Sequence, residues 1–312
     1  IDRARSLEDA GAAAIVMRSL FEEQIQSEAM ATYRATESHA DSFAEAQNYF
    51  ADPAEFVVGP GEYLEHLQRI KKAVGIPVIA SLNGFTPGGW LDYASWIEEA
   101  GADALELNVY YIPTQTAESS ADIEFRTTEM VREVKRSLSI PVAVKLSPFY
   151  TALPHFAKKL EVAGADGLVL FNRFFEADID IEELAVVSQM HLSDSRELLL
   201  RLRWLAILSG KLEKSALAVT GGVHTAIDAI KAIMCGASAV QLVASLLTRG
   251  PGHLRVLLAD MVSWMEEKEY ESLAQMCGSM NIARSPNPRE YARGNYMHIL
   301  QTWEGEGGAW GR

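Results

Sequence analysis

Short apolar runs in this chain end on side chains able to bind or polarise a ligand. Val142-Ala143-Val144-Lys145-Leu146-Ser147-Pro148 puts a lysine at the end of what reads as a buried strand. An ammonium there needs a partner or an electron-rich ligand in front of it, unless it snorkels to solvent. Leu105-Glu106-Leu107-Asn108 and Leu168-Val169-Leu170-Phe171-Asn172 end on asparagines. Each offers a donor and an acceptor without net charge, which suits an amide-rich heterocycle, although a lone asparagine also forms turns. Ala216 to Val219 stops at Thr220-Gly221-Gly222. Paired glycines accept positive φ and carry no Cβ, so backbone N–H groups can close around a phosphate; a simple tight turn would use the same residues. The apolar spacing over 225–234 predicts a helix whose N-terminus aims at that spot. Ala239 to Val243 is a further strand, and Ala244-Ser245 opens the helix behind it. Two successive small strand-to-helix turns near the chain end are how the last loops of a (β/α)8 barrel build a phosphate site.

These residues need a frame, and a repeat supplies one. Ala10-Gly11-Ala12, Ala100-Gly101-Ala102-Asp103, Ala163-Gly164-Ala165-Asp166 and Cys235-Gly236-Ala237 each separate an amphipathic helix from an apolar strand. The glycine ends the helix in a left-handed cap. Gly75-Ile76-Pro77-Val78 and Ser139-Ile140-Pro141-Val142 start strands with proline where no ladder donor is missed. Strands are expected near 13–17, 77–81, 103–108, 141–146, 167–171, 216–219 and 239–243. Seven strands alternating with helices predict an α/β fold, a (β/α)8 TIM barrel whose first strand precedes Ile1. An open doubly wound sheet would need an early glycine-rich nucleotide turn, which this chain lacks. The barrel is expected over 1–284, with excursions at about 21–55, 111–120 and 174–190. The loop at 111–120 has the polar character of a lid, and 174–190 could add short strands; a helical segment and tail occupy 285–312. Residues at strand ends line the mouth of such a barrel. In order they are Arg18-Ser19, Ser81, Asn108, Lys145, Asn172, Gly221-Gly222 and Ala244-Ser245.

Composition narrows the partners. The chain has 312 residues, 48% hydrophobic, and a formal net charge of −14. That charge argues against nucleic acid or an anionic membrane, both of which select basic faces. No apolar run approaches the roughly 20 residues of a membrane helix. A small-molecule substrate, a cytoplasmic location and no metal are expected. Two cysteines are too few for a disulfide framework or for a four-cysteine iron–sulfur cluster held by this chain alone.

The set of strand ends resembles a family. ELN at 106–108, VKLSP at 144–148, the Asn172 strand end, TGGV at 220–223, CGASAVQL at 235–242 and RGP at 249–251 look like the FMN-containing dihydroorotate dehydrogenases, especially the class 1 forms. The resemblance runs from about Leu7 to Glu267. It implies a barrel holding FMN at its mouth, with Lys145 facing the flavin edge where negative charge grows on reduction. Asn108, Ser81 and Asn172 would bond the ring or ribityl chain, and Arg18 and Ser19 match the strand end where the family places a lysine and a serine. Gly221, Gly222, Ala244 and Ser245 would hold the phosphate through backbone N–H groups. The resemblance and an acidic, helix-covered exterior also imply a homodimer. One stretch departs from the pattern: Asn108-Val109-Tyr110-Tyr111-Ile112-Pro113 puts Tyr111 at the catalytic base and Pro113 at a substrate asparagine, and Glu55 to Gly61 lacks the asparagine of an earlier loop. A tyrosine, of ordinary pKa about 10, can act as that base if a cation such as Lys145 lowers it. The expected activity is FMN-dependent oxidation of a small dihydro-heterocycle or related substrate, with Tyr111 and Lys145 catalytic. A flavin-free phosphate-binding isomerase or lyase, and an inactive FMN-binding homologue, are the alternatives.

Overall fold

The computed structural model describes residues 1–24, 60–84, 90–173, 176–188 and 191–302. Seven strands form one parallel sheet: β1 (Ile15–Phe21), β2 (Val78–Asn83), β3 (Ala104–Asn108), β4 (Val142–Leu146), β5 (Gly167–Leu170), β8 (Ala216–Thr220) and β9 (Ala239–Gln241), in the order β1-β2-β3-β4-β5-β8-β9. The helices alternate with them: α1 (Asp2–Asp9), α2 (Pro60–Ala73), α3 (Trp90–Glu99), α4 (Ser120–Ser137), α5 (Leu153–Ala163), α6 (Leu198–Leu208) and α7 (Ala226–Cys235), then α8 (Ala244–Arg249), α9 (His253–Glu267), α10 (Leu273–Met276) and α11 (Gly294–Thr302). No described helix is long and apolar enough to cross a membrane. Side chains alternate across each strand. Val78, Leu105, Leu107, Val142, Val144 and Leu168 are fully buried on the helix side. The opposite face carries small or polar residues such as Ser81, Glu106, Asn108, Ala143 and Lys145, so the apolar core lies between sheet and helices.

The sheet is curled into a barrel. Gln241 of β9 donates from Nε2 to Glu106 Oε2 of β3 at 2.7 Å, across the inner face. Outside, Arg255 of α9 donates to the Asp9 carbonyl of α1 at 2.9 Å, which brings the two ends of the helical ring together. β9 and β1 do not pair with each other among the described residues, and the eighth position of a closed barrel falls between them.

Two sequence devices fix the frame. The repeated glycines 11, 101, 164 and 236 all take positive φ, and Gly164 and Gly236 are left-handed helix caps as expected. The aspartates of the repeat have a second use. Asp103 accepts from Val78 N and Lys71 Nζ, both at 2.6 Å, while Asp166 accepts from Val142 N at 2.8 Å and Lys135 Nζ at 2.7 Å. Each carboxylate thus pins the first residue of the preceding strand to the end of the helix that leads into that strand.

Two strand boundaries near the site differ from the sequence reading. β1 runs to Phe21 rather than ending near 17, because its register shifts between Val16 and Ser19 and then continues along β2. Arg18 and Ser19 therefore lie inside the strand, and Ser81 lies inside β2, which runs on to Asn83. Residues 176–188 form an antiparallel hairpin, β6 (Ala177–Asp180) with β7 (Ala185–Ser188), separate from the barrel sheet. The excursion from residue 25 onward, the loop before Pro60 and the tail from 303 lie outside the described residues.

Candidate functional site

The inner ends of four strands share one chain of hydrogen bonds. Asn172 Nδ2, just past β5, donates to Asn108 Oδ1 at 2.6 Å, and Asn108 Nδ2 donates to Ser19 Oγ at 3.2 Å. Ser19 Oγ lies 2.8 Å from Ser81 Oγ. Four residues singled out by sequence thus meet across β5, β3, β1 and β2. Beneath them Tyr63 of α2, 1% exposed, takes up both backbone groups of Ser81: its hydroxyl accepts from Ser81 N at 2.9 Å and donates to Ser81 O at 3.2 Å. It does so where the irregularity in β1 interrupts the ladder. Burial pushes the Tyr63 phenol up to about 12, so it stays a donor. Arg18 takes no part in this chain; it is exposed in the irregular part of β1, where its charge bears on Tyr63 and His66.

One step deeper sits Lys145, whose Nζ lies 2.6 Å from Glu106 Oε1, with the side chains 16% and 1% exposed. The other Glu106 oxygen accepts from Gln241. The partner that a lysine at a buried strand end requires is therefore a carboxylate two residues before Asn108. Glu106 and Gln241 escaped the sequence reading. Period-two alternation could have flagged Glu106, since it must share the inward face with Asn108. Nothing local marks Gln241, which meets Glu106 from 135 residues away.

Gly221 and Gly222 both stand at φ +81, just beyond β8. A Cβ on Gly222 would lie 2.5 Å from Leu198 N, and one on Gly221 would lie 2.7 Å from Arg201 Nη2. Only glycine fits this turn. The helix behind it begins with a capping box in which Thr225 and Asp228 satisfy each other's backbone N–H. Asp228 also accepts from His224 N and Ser195 Oγ, and these bonds outweigh its burial to hold the carboxyl below its usual range. Ala244 begins α8 after β9, and Ser245 behind it is fully buried, its hydroxyl without a partner among the described residues.

Two adjoining cavities open at the ends of β4 and β5, sharing Phe149 and Glu176. One, of about 400 Å³, is bordered by Asn172, Arg173, Glu197 and Arg201. The other, of about 370 Å³, is bordered by Val109, Tyr111, Ile112, Phe149 and Tyr150. Tyr111 donates to Glu118 Oε2 at 2.6 Å, Glu118 Oε1 pairs with Arg126 Nη1 at 2.7 Å, and the Arg126 guanidinium lies over the Tyr111 ring at 4.8 Å. The loop over 111–120 is thereby tied to α4, whose N-terminus carries its own capping box at Ser119 and Asp122. The bond to Glu118 raises the Tyr111 pKa above its ordinary value, and the nearby Arg126 only partly opposes this. The group next to the phenol is a carboxylate; Lys145 is engaged with Glu106.

A family model described as dihydroorotate dehydrogenase matches residues 57–265. Among curated relatives, the catalytic subunit of dihydroorotate dehydrogenase B (NAD(+)) from Thermoplasma acidophilum is 31% identical over 215 residues, covering 67% of this chain and 70% of the relative. The same-named subunit from Geobacter sp. is 30% identical over 237 residues, with 72% and 75% covered. A crystal structure of DHODH from Eimeria tenella matches with a TM-score of 0.58 at 15% identity, over 70% of this chain and 68% of that one, a likeness of fold. The matched span runs from α2 to α9 and takes in every strand tip described above except those of β1, and on that ground the chain belongs to the dihydroorotate dehydrogenase family.

Proposed function

We propose that this chain is an FMN-dependent oxidoreductase that oxidises a CH–CH bond in a small dihydro-heterocycle or a related molecule. FMN is the cofactor of the family, and when bound it supplies the hydride acceptor. The residues present fit it. The single observation that carries the reading is the continuous Asn172–Asn108–Ser19–Ser81 chain with Lys145 beside it. Amides and hydroxyls on strand tips offer the mixed donors and acceptors that a flavin ring edge needs. Lys145, held by Glu106, keeps a fixed ammonium in the barrel mouth, where it stabilises negative charge without reorganising. The Gly221–Gly222 turn, which carries no Cβ of its own, and the start of α8 would offer the phosphate backbone N–H groups, with Ser193 Oγ beside Gly222 N at 3.3 Å.

Substrate would enter the paired cavities beyond β4 and β5, with Phe149 and Glu176 between them. Tyr111 stands in the wall of one, as the acid/base candidate. Held to Glu118, it keeps its proton at neutral pH, so a base role would make oxidation rise toward alkaline pH. A screen of dihydro-heterocycles that starts with dihydroorotate, followed by bleaching of flavin absorbance under anaerobic conditions, tests the reading. Bleaching by one of them supports it; a flavin that dithionite bleaches and no candidate substrate does would favour an inactive FMN-binding homologue. A homodimer belongs to the same proposal, and light scattering at the mass of one chain would remove it.

A further inference from the structure

Arg201 of α6 is 6% exposed and carries its charge directly behind the double-glycine turn. Its Nε donates to the Thr220 carbonyl at 2.5 Å and Nη1 to the Glu197 carbonyl at 2.6 Å. Both acceptors are neutral. The nearest carboxylate oxygen, on Glu197, lies 4.0 Å from Nη2, and Arg173 stands 3.5 Å from the other oxygen of that group. The buried cation is thus only partly compensated, and burial pulls its pKa below the ordinary arginine value. Nη2 and Cζ would be 2.7 and 3.1 Å from a Cβ at Gly221, so the guanidinium lies flush against the backbone of the turn. A phosphate approaching a chain of net charge −14 meets a repulsive background field. A cation fixed behind the turn offsets that field where the anion would sit.

We propose that Arg201 makes the turn selective for a phosphorylated flavin, stabilising the anionic end of FMN and so favouring FMN over riboflavin. The inference rests on the FMN reading above. It assigns Arg201 more than the tie it makes between α6 and β8, and the two roles separate cleanly. A tie affects both flavins alike, because it shapes the turn; a charge acts on the phosphate, which riboflavin lacks.

The test is a fluorescence-quenching titration of the full chain, freed of flavin, with FMN and with riboflavin, comparing the wild type with Arg201→Gln and Arg201→Lys. The wild type is expected to bind FMN at least about tenfold more tightly than riboflavin. Arg201→Gln should lower that ratio by about tenfold or more, as loss of a charge-assisted contact implies, while riboflavin affinity moves by less than about threefold. Arg201→Lys should keep most of the ratio. Equal losses for the two flavins would overturn the proposal, and so would a wild-type ratio near one, whether or not any variant folds. A wild type that binds neither flavin would instead overturn the FMN reading itself.

Discussion

At the scale of residues, the site depends on how a charge is kept inside the barrel. Glu106 is the more deeply buried partner of Lys145, and its second oxygen is taken by Gln241. Removing one member of such a pair leaves the other desolvated and unmatched. Glu106→Ala should therefore lower unfolding free energy by about 3 kcal/mol in urea titrations. The double variant Glu106→Gln, Lys145→Met should lose less than the sum of the single changes, since it removes both charges and leaves none orphaned. Lys145→Ala should slow flavin reduction by about a hundredfold in stopped-flow traces, the usual scale for losing a preorganised charge stabiliser; unchanged rates would deny it that role. Tyr111→Phe keeps the ring under Arg126 and removes the hydroxyl with its bond to Glu118. If the phenol moves a proton, this variant should lose the alkaline rise in turnover, and a full pH profile identical to wild type would exclude it. Asn108 and Asn172 were legible because strand tips of an alternating β/α chain must converge, and Ser19 and Ser81 because they fall within two residues of such tips. Arg201 was not, because an arginine in an apolar helical run reads as a surface residue until the turn beside it is seen.

At the scale of elements, the sequence repeat does more than mark helix ends. Asp103 and Asp166 occupy equivalent places, each pinning a strand start and a helical lysine. A second series alternates with it: Glu8 of α1 accepts from Gly75 N, Glu98 of α3 from Ser139 N and Ile140 N, and Glu161 of α5 from the N–H groups of 213, 214 and 215. Each glutamate near the end of one helix satisfies the turn after the next. The aspartates and glutamates were visible as letters, but their partners lie 24 to 67 residues away, so only the fold gives them a use. Strands 103–108 and 141–146 were legible nearly to the residue, since proline and the glycine repeat bracket them. β1 was not, because a register shift is a property of two strands together. The double-glycine turn makes the sharpest prediction here. Gly222→Ala places a Cβ 2.5 Å from Leu198 N at φ +81, and should cost at least about 2 kcal/mol of stability by thermal or urea unfolding, with flavin affinity falling alongside. A stable variant with unchanged affinity would show that the turn tolerates a side chain.

At the scale of the whole molecule, acid should loosen the barrel through Glu161. Burial alone would raise its carboxyl pKa, but Lys158 and three backbone N–H groups together hold it down to about 2. A pKa depressed in the folded state adds stability above the unfolded value near 4.5, and that stability drains as pH falls from there toward 2. Glu161→Gln should lose much of this dependence between those limits, read from unfolding midpoints against pH; a parallel curve would assign the acid transition to other groups.

The inward strand tips of this barrel are proposed to form a flavin site. The most direct measurement is the visible spectrum of the isolated full chain, with flavin released by denaturation and identified. The predicted result is a yellow protein bleached by dithionite and yielding about one FMN per chain. A colourless protein that takes up no added FMN would contradict it.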